Sequence, residues 1–136
     1  MKKEYRKAVF IVAYLKSGKY LILKRKLHWK GWEFPKGGLK NKEPLMLGVL
    51  RELKEETGQI PAIINKFNIE GEYAYDSGTR KKRKYKGQTF TLFSAQLKNK
   101  KIRLDKKEHS EYKWLDYKKA LKLLTWQNQK NCLKIV

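Results

Sequence analysis

Hydrophobic and polar positions change their period several times along the chain, and each change marks an element. Ala8–Leu15 is almost continuously apolar, and Lys19–Lys26 follows it across a Ser17-Gly18 turn. Both stretches read as strands joined in a hairpin. Trp32–Gly38 reads as a short strand that runs into a turn fixed by Pro35 and permitted by Gly37 and Gly38. From Pro44 to Thr57 the period lengthens. Met46, Val49, Leu50 and Leu53 recur at i, i+3, i+4 and i+7, which predicts one amphipathic helix with those residues facing the core. Pro44 suits its first turn, and Gly58 suits a left-handed cap just past its end.

Further on, a strand is expected within Asn65–Tyr75, a second over Gln88–Leu97 and a short one over Tyr112–Leu115. Tyr117, Ala120, Leu121 and Leu124 carry helical spacing, and Gln127–Ile135 reads as a last helix. No repeat and no domain boundary is visible. The expectation is one domain over residues 1–136, α/β in class, with a mixed sheet covered by helices on both faces.

A chain of 136 residues with 40% hydrophobic content can bury a single core. The charge balance points to partners. There are 34 Lys and Arg against 13 Asp and Glu, a formal charge of +21, which attracts polyanions: polyphosphates, nucleotides or RNA. The single cysteine, Cys132, excludes an internal disulfide, fits a reducing compartment and occupies a core position of the last helix. Met1-Lys2-Lys3 ahead of Ala8–Leu15 superficially resembles a secretion signal. That apolar run is short, however, and continues as a hairpin. No segment is long enough to span a membrane, so a cytoplasmic protein without a membrane partner is expected. Oligomeric state is not legible.

Against this positive excess, Glu43, Glu52, Glu55 and Glu56 fall with Arg51 inside the 22 residues from Gly37 to Gly58. At about 100° per residue, Glu52, Glu55 and Glu56 are expected together on the side of the helix away from the apolar stripe, bordered by Arg51. Each like-charged pair costs a few tenths of a kcal/mol in an isolated helix, roughly. The negative end of the helix dipole disfavours them further. A hard divalent cation reverses that cost, because it takes carboxylate and phosphate oxygens together. The competing reading is a solvated acidic face paired with nearby lysines. The Pro35–Gly38 turn ahead of the helix favours the metal, since such a turn brings backbone groups close to a metal–phosphate ligand.

Gly37-x5-Glu43-x7-Arg51-Glu52-Leu53-x-Glu55-Glu56-x-Gly58 resembles the signature of the Nudix hydrolases, which cleave nucleoside diphosphates linked to another group. Gln59 departs from the usual aliphatic residue, and Ile60 beside it is expected to take over the packing role. The resemblance implies an α/β/α sandwich with a mixed sheet. It also implies Mg²⁺, with Mn²⁺ as a possible substitute, held by Glu52, Glu55 and Glu56 with a backbone carbonyl of the Gly37–Gly38 turn nearby. Arg51 would orient the glutamates, and Glu43 would support them.

Ile102–Leu115, with its Glu108-His109 pair and Trp114, is similar to the diadenosine tetraphosphate hydrolases, and the likeness runs on through Ala120–Leu124. Trp32-Glu33-Phe34-Pro35-Lys36-Gly37 matches their Trp-x-x-Pro-Lys-Gly pattern. Bacterial RNA 5′-pyrophosphohydrolases share the framework but tend to carry Gln where Lys36 stands. The preferred substrate is therefore diadenosine tetraphosphate, cleaved to ATP and AMP. RNA 5′ ends and (d)NTPs are the alternatives, and a nucleotide- or RNA-binding module that does not cleave is the non-enzymatic one. By the same resemblance Glu108 is a further ligand or the general base, its ordinary reading being a surface acid. His109 is read as structural or substrate-adjacent. Lys36 and the basic run Thr79–Gly87, with Arg80, Lys82, Arg83 and Lys84, would hold the phosphate chain; a solvated hairpin loop is the plainer reading of that run. Tyr73, Tyr75 and Tyr85 would stack a base, or Tyr73 and Tyr75 alternate with core positions.

Overall fold

Strand β1 (Tyr5–Leu15) is apolar on both faces, and the rest of the sheet is arranged around it. The computed structural model describes residues 5–27, 30–74 and 87–136, with Tyr5, Tyr73, Ala74 and Gln88 described by their backbone alone. The expectations placed on Tyr75, Arg80, Lys82, Arg83, Lys84 and Tyr85, and on the Tyr73 side chain, lie outside the described residues. Strand β6 (Gly87–Leu97) runs parallel to β1 in register from Tyr5↔Gly87 to Leu15↔Leu97. On the other edge of β1 two strands share the space. Strand β4 (Lys36–Gly38) pairs antiparallel with its first half through Phe10↔Lys36, Val9↔Gly37 and Ala8↔Gly38. Strand β2 (Tyr20–Arg25) meets only its far end, at Tyr14↔Tyr20. Antiparallel pairing then joins β2 to β3 (Gly31–Glu33) and to β7 (His109–Leu115), while β5 (Ile63–Ala74) closes the edge beyond β6. The result is a mixed sheet of seven strands among the described residues.

The expected β1–β2 hairpin is therefore short. Gly18, at φ 93°, allows the turn, and the Leu15 N–H donates to the Lys19 carbonyl at 2.9 Å. The two strands then splay, and β4 fills the gap between them. This wedge brings the Pro35–Gly38 segment to the middle of the sheet.

Alternate residues of β1 feed two cores. Val9, Ile11, Ala13 and Leu15 join Leu21, Leu23, Phe93, Ala95 and Leu97 beneath helix α1 (Leu45–Thr57), which contributes Val49 and Leu53. Ala8, Phe10 and Val12 join Ile22, Phe34, Phe90 and Leu92 against α2 (Tyr117–Leu123) and α3 (Gln127–Ile135), through Ala120, Cys132 and Leu133. This is the α/β/α sandwich that the sequence predicts. Strand β7 begins at His109 rather than Tyr112, because its first residues pair with Lys24 and Arg25 of β2. Cys132 is buried and free, with its thiol pushed up to about 11 by that burial.

Two expectations about α1 and its end are corrected. Met46 is 43% exposed and Leu50 only half-buried, whereas the buried face holds Gly48, Val49, Glu52, Leu53, Glu56 and Thr57. Glu52 and Glu56 therefore lie on the core side of the helix, not opposite it. The reason is angular: Glu56 follows Val49 by seven residues, about two full turns, so both project the same way. Ile60 does not replace the aliphatic residue absent at Gln59, being 65% exposed. Instead Gln59 ties α1 to the chain after β6, donating to the Asn99 and Lys101 carbonyls at 2.8 and 3.1 Å.

The two sides of α1 should respond differently to truncation. Leu53→Ala is expected to cost about 2–5 kcal/mol of unfolding free energy, and Met46→Ala to stay within about 0.5 kcal/mol, both read from urea denaturation midpoints.

Candidate metal centre

The acidic helix face closes over β4, and its geometry begins with what β4 lacks. A Cβ on Gly37 would overlap the Glu52 carboxylate, so only glycine admits that side chain. Gly48 likewise lets α1 sit against Leu39. Glu56, 1% exposed, takes the Lys36 backbone N–H on Oε2 at 3.2 Å. Its other oxygen, Oε1, is buried without a hydrogen-bond partner among the described residues.

Arg51 holds the remaining acids. Its guanidinium is bidentate to Glu43, with Nε to Oε2 and Nη2 to Oε1 both at 2.8 Å. Nη1 donates to Glu52 Oε1 at 2.8 Å and reaches Glu55 at 3.3 Å, while Nη2 also donates to the Gly38 carbonyl at 3.0 Å. The Arg51 bonds hold Glu43 down at about 2. Glu52 behaves in the opposite sense. Burial lifts it to about 7 in spite of its Arg51 bond. Glu56 is raised well above the ordinary range, first by burial and then by the nearby charges of Glu52, Glu33 and Glu108. Glu55 is half exposed.

Opposite the helix stand Glu108 and His109, where a turn from Asp105 enters β7. A ligand atom from each of Glu56, Glu108 and His109 lies within 4.8 Å of the others. Glu108 is one-third exposed and 4.0 Å from Arg25 Nη1. His109 is fully buried, with Nε2 2.8 Å from Glu33 Oε2. Glu33 is also fully buried and receives Arg25 Nη1 at 3.2 Å, and its Oε1 faces Lys36 Nζ at 3.7 Å. Burial alone would raise Glu33, but the His109 bond, Lys36 and Arg25 together leave it below the ordinary range. Helix α3 and the connection that precedes it support the Trp32–Phe34 segment from behind: buried Gln129 accepts the Phe34 N–H at 2.8 Å, and Thr125 Oγ1 accepts the Trp32 N–H at 2.8 Å.

The fold thus brings together Gly37, Arg51, Glu52, Glu55, Glu56 and Glu108. It turns Lys36 toward Glu33. Glu33 and Arg25 were absent from the candidates read from sequence. The available signal was an acid at the end of a short apolar strand and a histidine following an acid at the start of another, but nothing in the order of residues says that they meet. The donor set suits a hard divalent cation: several carboxylates, one with a buried oxygen lacking a partner, on a backbone that glycine keeps clear.

A NUDIX domain model matches residues 4–134. The chain belongs to this family. It is 32% identical over 132 residues to an RNA pyrophosphohydrolase of Zymomonas mobilis, covering 89% of this chain and 85% of that protein. It is 34% identical over 139 residues to an RNA pyrophosphohydrolase of Nitratiruptor sp., covering 92% and 86%. Among solved structures its fold is similar to the E. coli dihydroneopterin triphosphate pyrophosphohydrolase, with TM-score 0.83, 22% identity and coverage of 98% of this chain and 97% of that one. A C. elegans Ap4A hydrolase shares the fold at TM-score 0.73 and 23% identity, covering 95% and 93%. The coarse assignment, a Nudix pyrophosphohydrolase, rests on the NUDIX match and on relatives that span most of the chain.

Burial of these acids sets a pH dependence. Glu52 and Glu56 lie above the ordinary carboxylate value of 4.5. Between that value and about 7 the folded protein holds more protons than the unfolded chain, so stability falls as pH rises. Glu43 and Glu33, being lowered, lose their contribution only at more acidic pH. In chelator, the thermal midpoint should therefore drop from about pH 5 to about pH 7.5, and Glu52→Gln should flatten the drop. A divalent cation should restore the midpoint at the higher pH, because it binds the deprotonated carboxylates.

Proposed function

We propose that this Nudix protein removes pyrophosphate from the 5′ end of RNA, with Mg²⁺ as its metal and Mn²⁺ as a working substitute. The observation that carries the metal-dependent chemistry is the burial of Glu52 and Glu56 on the inner face of α1, with Glu56 beside Glu108 and one buried Glu56 oxygen without a hydrogen-bond partner among the described residues. Glu52, Glu55, Glu56 and Glu108 would hold the ion, which supplies Lewis-acid polarisation of phosphate and a lowered pKa for bound water. Arg51 keeps Glu52 and Glu55 in place and is itself saturated by Glu43 and Gly38. Glu108, the more exposed acid on the far side, would take a proton from the attacking water. Water adds to phosphorus, the anhydride bond breaks, and pyrophosphate carries away the electron pair.

Three considerations support RNA over a dinucleotide. Lys36, whose presence in place of Gln favoured diadenosine tetraphosphate, faces buried Glu33, so its charge has an internal use. The RNA pyrophosphohydrolases above match this chain over most of its length. A charge of +21 also suits a polymer, since each neutralised phosphate releases counterions. Diadenosine tetraphosphate remains the second reading, supported by the Trp32–Gly37 and Glu108–Trp114 motifs.

A panel of 5′-triphosphorylated RNA, diadenosine tetraphosphate and (d)NTPs, each with Mg²⁺ and with Mn²⁺, tests the assignment. Monophosphorylated RNA and pyrophosphate should dominate by kcat/KM; faster formation of ATP and AMP from the dinucleotide would transfer the assignment to the second reading. RNA binding without turnover of any substrate would make the protein a non-cleaving module. Glu55→Gln and Glu56→Gln should each lower kcat by about 100-fold or more with the fold intact. Near-normal turnover in both would sink the hydrolase reading altogether.

A further inference from the structure

The buried group formed by Glu33, His109 and Arg25 has no place in the sequence signature, yet it adjoins the metal centre directly. Glu33 and His109 are both fully buried and 2.8 Å apart. Sequestering an acid and an imidazole together is costly unless the pair is fixed and paired further. Here Arg25 supplies the further pairing, with Nη1 3.2 Å from Glu33 and 4.0 Å from Glu108, while Nε is anchored on the Leu27 carbonyl at 2.9 Å. The Glu33 backbone is itself set by pairing with Leu23 of β2.

Glu108 needs such support. It ends a turn in which its own N–H and that of His109 both donate to the Asp105 carbonyl, at 3.1 and 3.0 Å. Its carbonyl receives Lys26 N–H at 2.9 Å, beside the register shift between Lys24 and Arg25. The side chain is one-third exposed, with Arg25 Nη1 4.0 Å away, and it precedes the buried His109 ring.

We propose that Glu33, through His109 and Arg25, is a positioning element that aims Glu108 at Glu56. The His109 ring, gripped by Glu33, fixes the start of β7, so the preceding side chain projects toward α1. Arg25 divides its charge between Glu33 and Glu108, and the buried Glu33 keeps the larger share. Without the Glu33 carboxylate, Arg25 would swing to Glu108 and draw it away from the centre; without Arg25, Glu33 would lose the partner that steadies its grip on His109, and Glu108 would lose its aim in the same way. The arrangement parallels the outer partners that orient ligands in metal sites, whose loss costs about 10–100-fold in affinity or activity. The inference rests on the metal-centre part of the proposed function and not on the choice of substrate.

The test combines Mn²⁺ binding by electron paramagnetic resonance, kinetics on whichever substrate the protein cleaves, and a double-mutant cycle. Glu33→Gln should lower kcat and weaken Mn²⁺ binding by about 10-fold or more, with KM changed by less than about threefold. Glu108→Gln should then cost little more in the Glu33→Gln background, because Glu108 is already misplaced. Arg25→Gln, at a partly accessible position, should give the same pattern and serves if Glu33→Gln does not fold. If Glu33→Gln and Arg25→Gln lower only the thermal midpoint, with Glu108→Gln costing the same in every background, the pair is merely structural and the proposal fails. If Glu108→Gln leaves both Mn²⁺ binding and kcat unchanged in the wild-type background, the role assigned to Glu108 fails instead.

Discussion

Everything at this site follows from the inward turn of Glu52 and Glu56. Two carboxylates on one helix face, buried against a glycine strand and facing further acids, cannot all keep their charge in a low dielectric. The protein leaves this conflict partly unresolved. Arg51 satisfies Glu43 with both carboxylate oxygens and takes one oxygen of Glu52, but none of its bonds reaches Glu56. A helix whose purpose was stability alone would carry apolar residues at these two positions. On the proposed function a divalent cation would relieve the conflict, and the site would trade metal-free stability for affinity.

The sheet is built to create this place. The divergence of β1 and β2 opens a gap, and β4 enters it with Gly37 and Gly38 where side chains would block α1. Val49 and Leu53 press the helix onto the sheet within the same core as Val9, Ile11 and Phe93. Apolar packing thus fixes the distance between helix and strand, and the acids inherit their geometry from it. On the opposite face, Gln129 and Thr125 hold the backbone of the Trp32–Phe34 segment, so both layers of the sandwich contribute to one site.

The positive charge of the chain and its acidic centre fit one proposed design. A formal charge of +21 would attract a polyanion, while the interior acids would hold a cation. Inside, the basic residues have local tasks. Arg51 binds the acids of α1, and Arg25 and Lys36 turn toward Glu33. These inner cations serve the carboxylates.

The order of the residues alone determined the elements, the sandwich class and the helix carrying the acids, because these depend on local period, on Pro and Gly, and on a motif of fixed spacing. Gln127–Ile135 and the left-handed Gly58, at φ 77°, are of this kind. Only the tertiary structure decided which way the acids face. Met46 and Leu50 suggested one stripe, but a helix can bury an arc that includes Glu52 and Glu56 when the surface beneath it is a glycine turn rather than apolar sheet. Nor could local pattern join Glu33 to His109, which are separated by 76 positions and meet only because β2 pairs with both β3 and β7. Contacts of that kind depend on strand order, which is a property of the whole core and not of any stretch of chain.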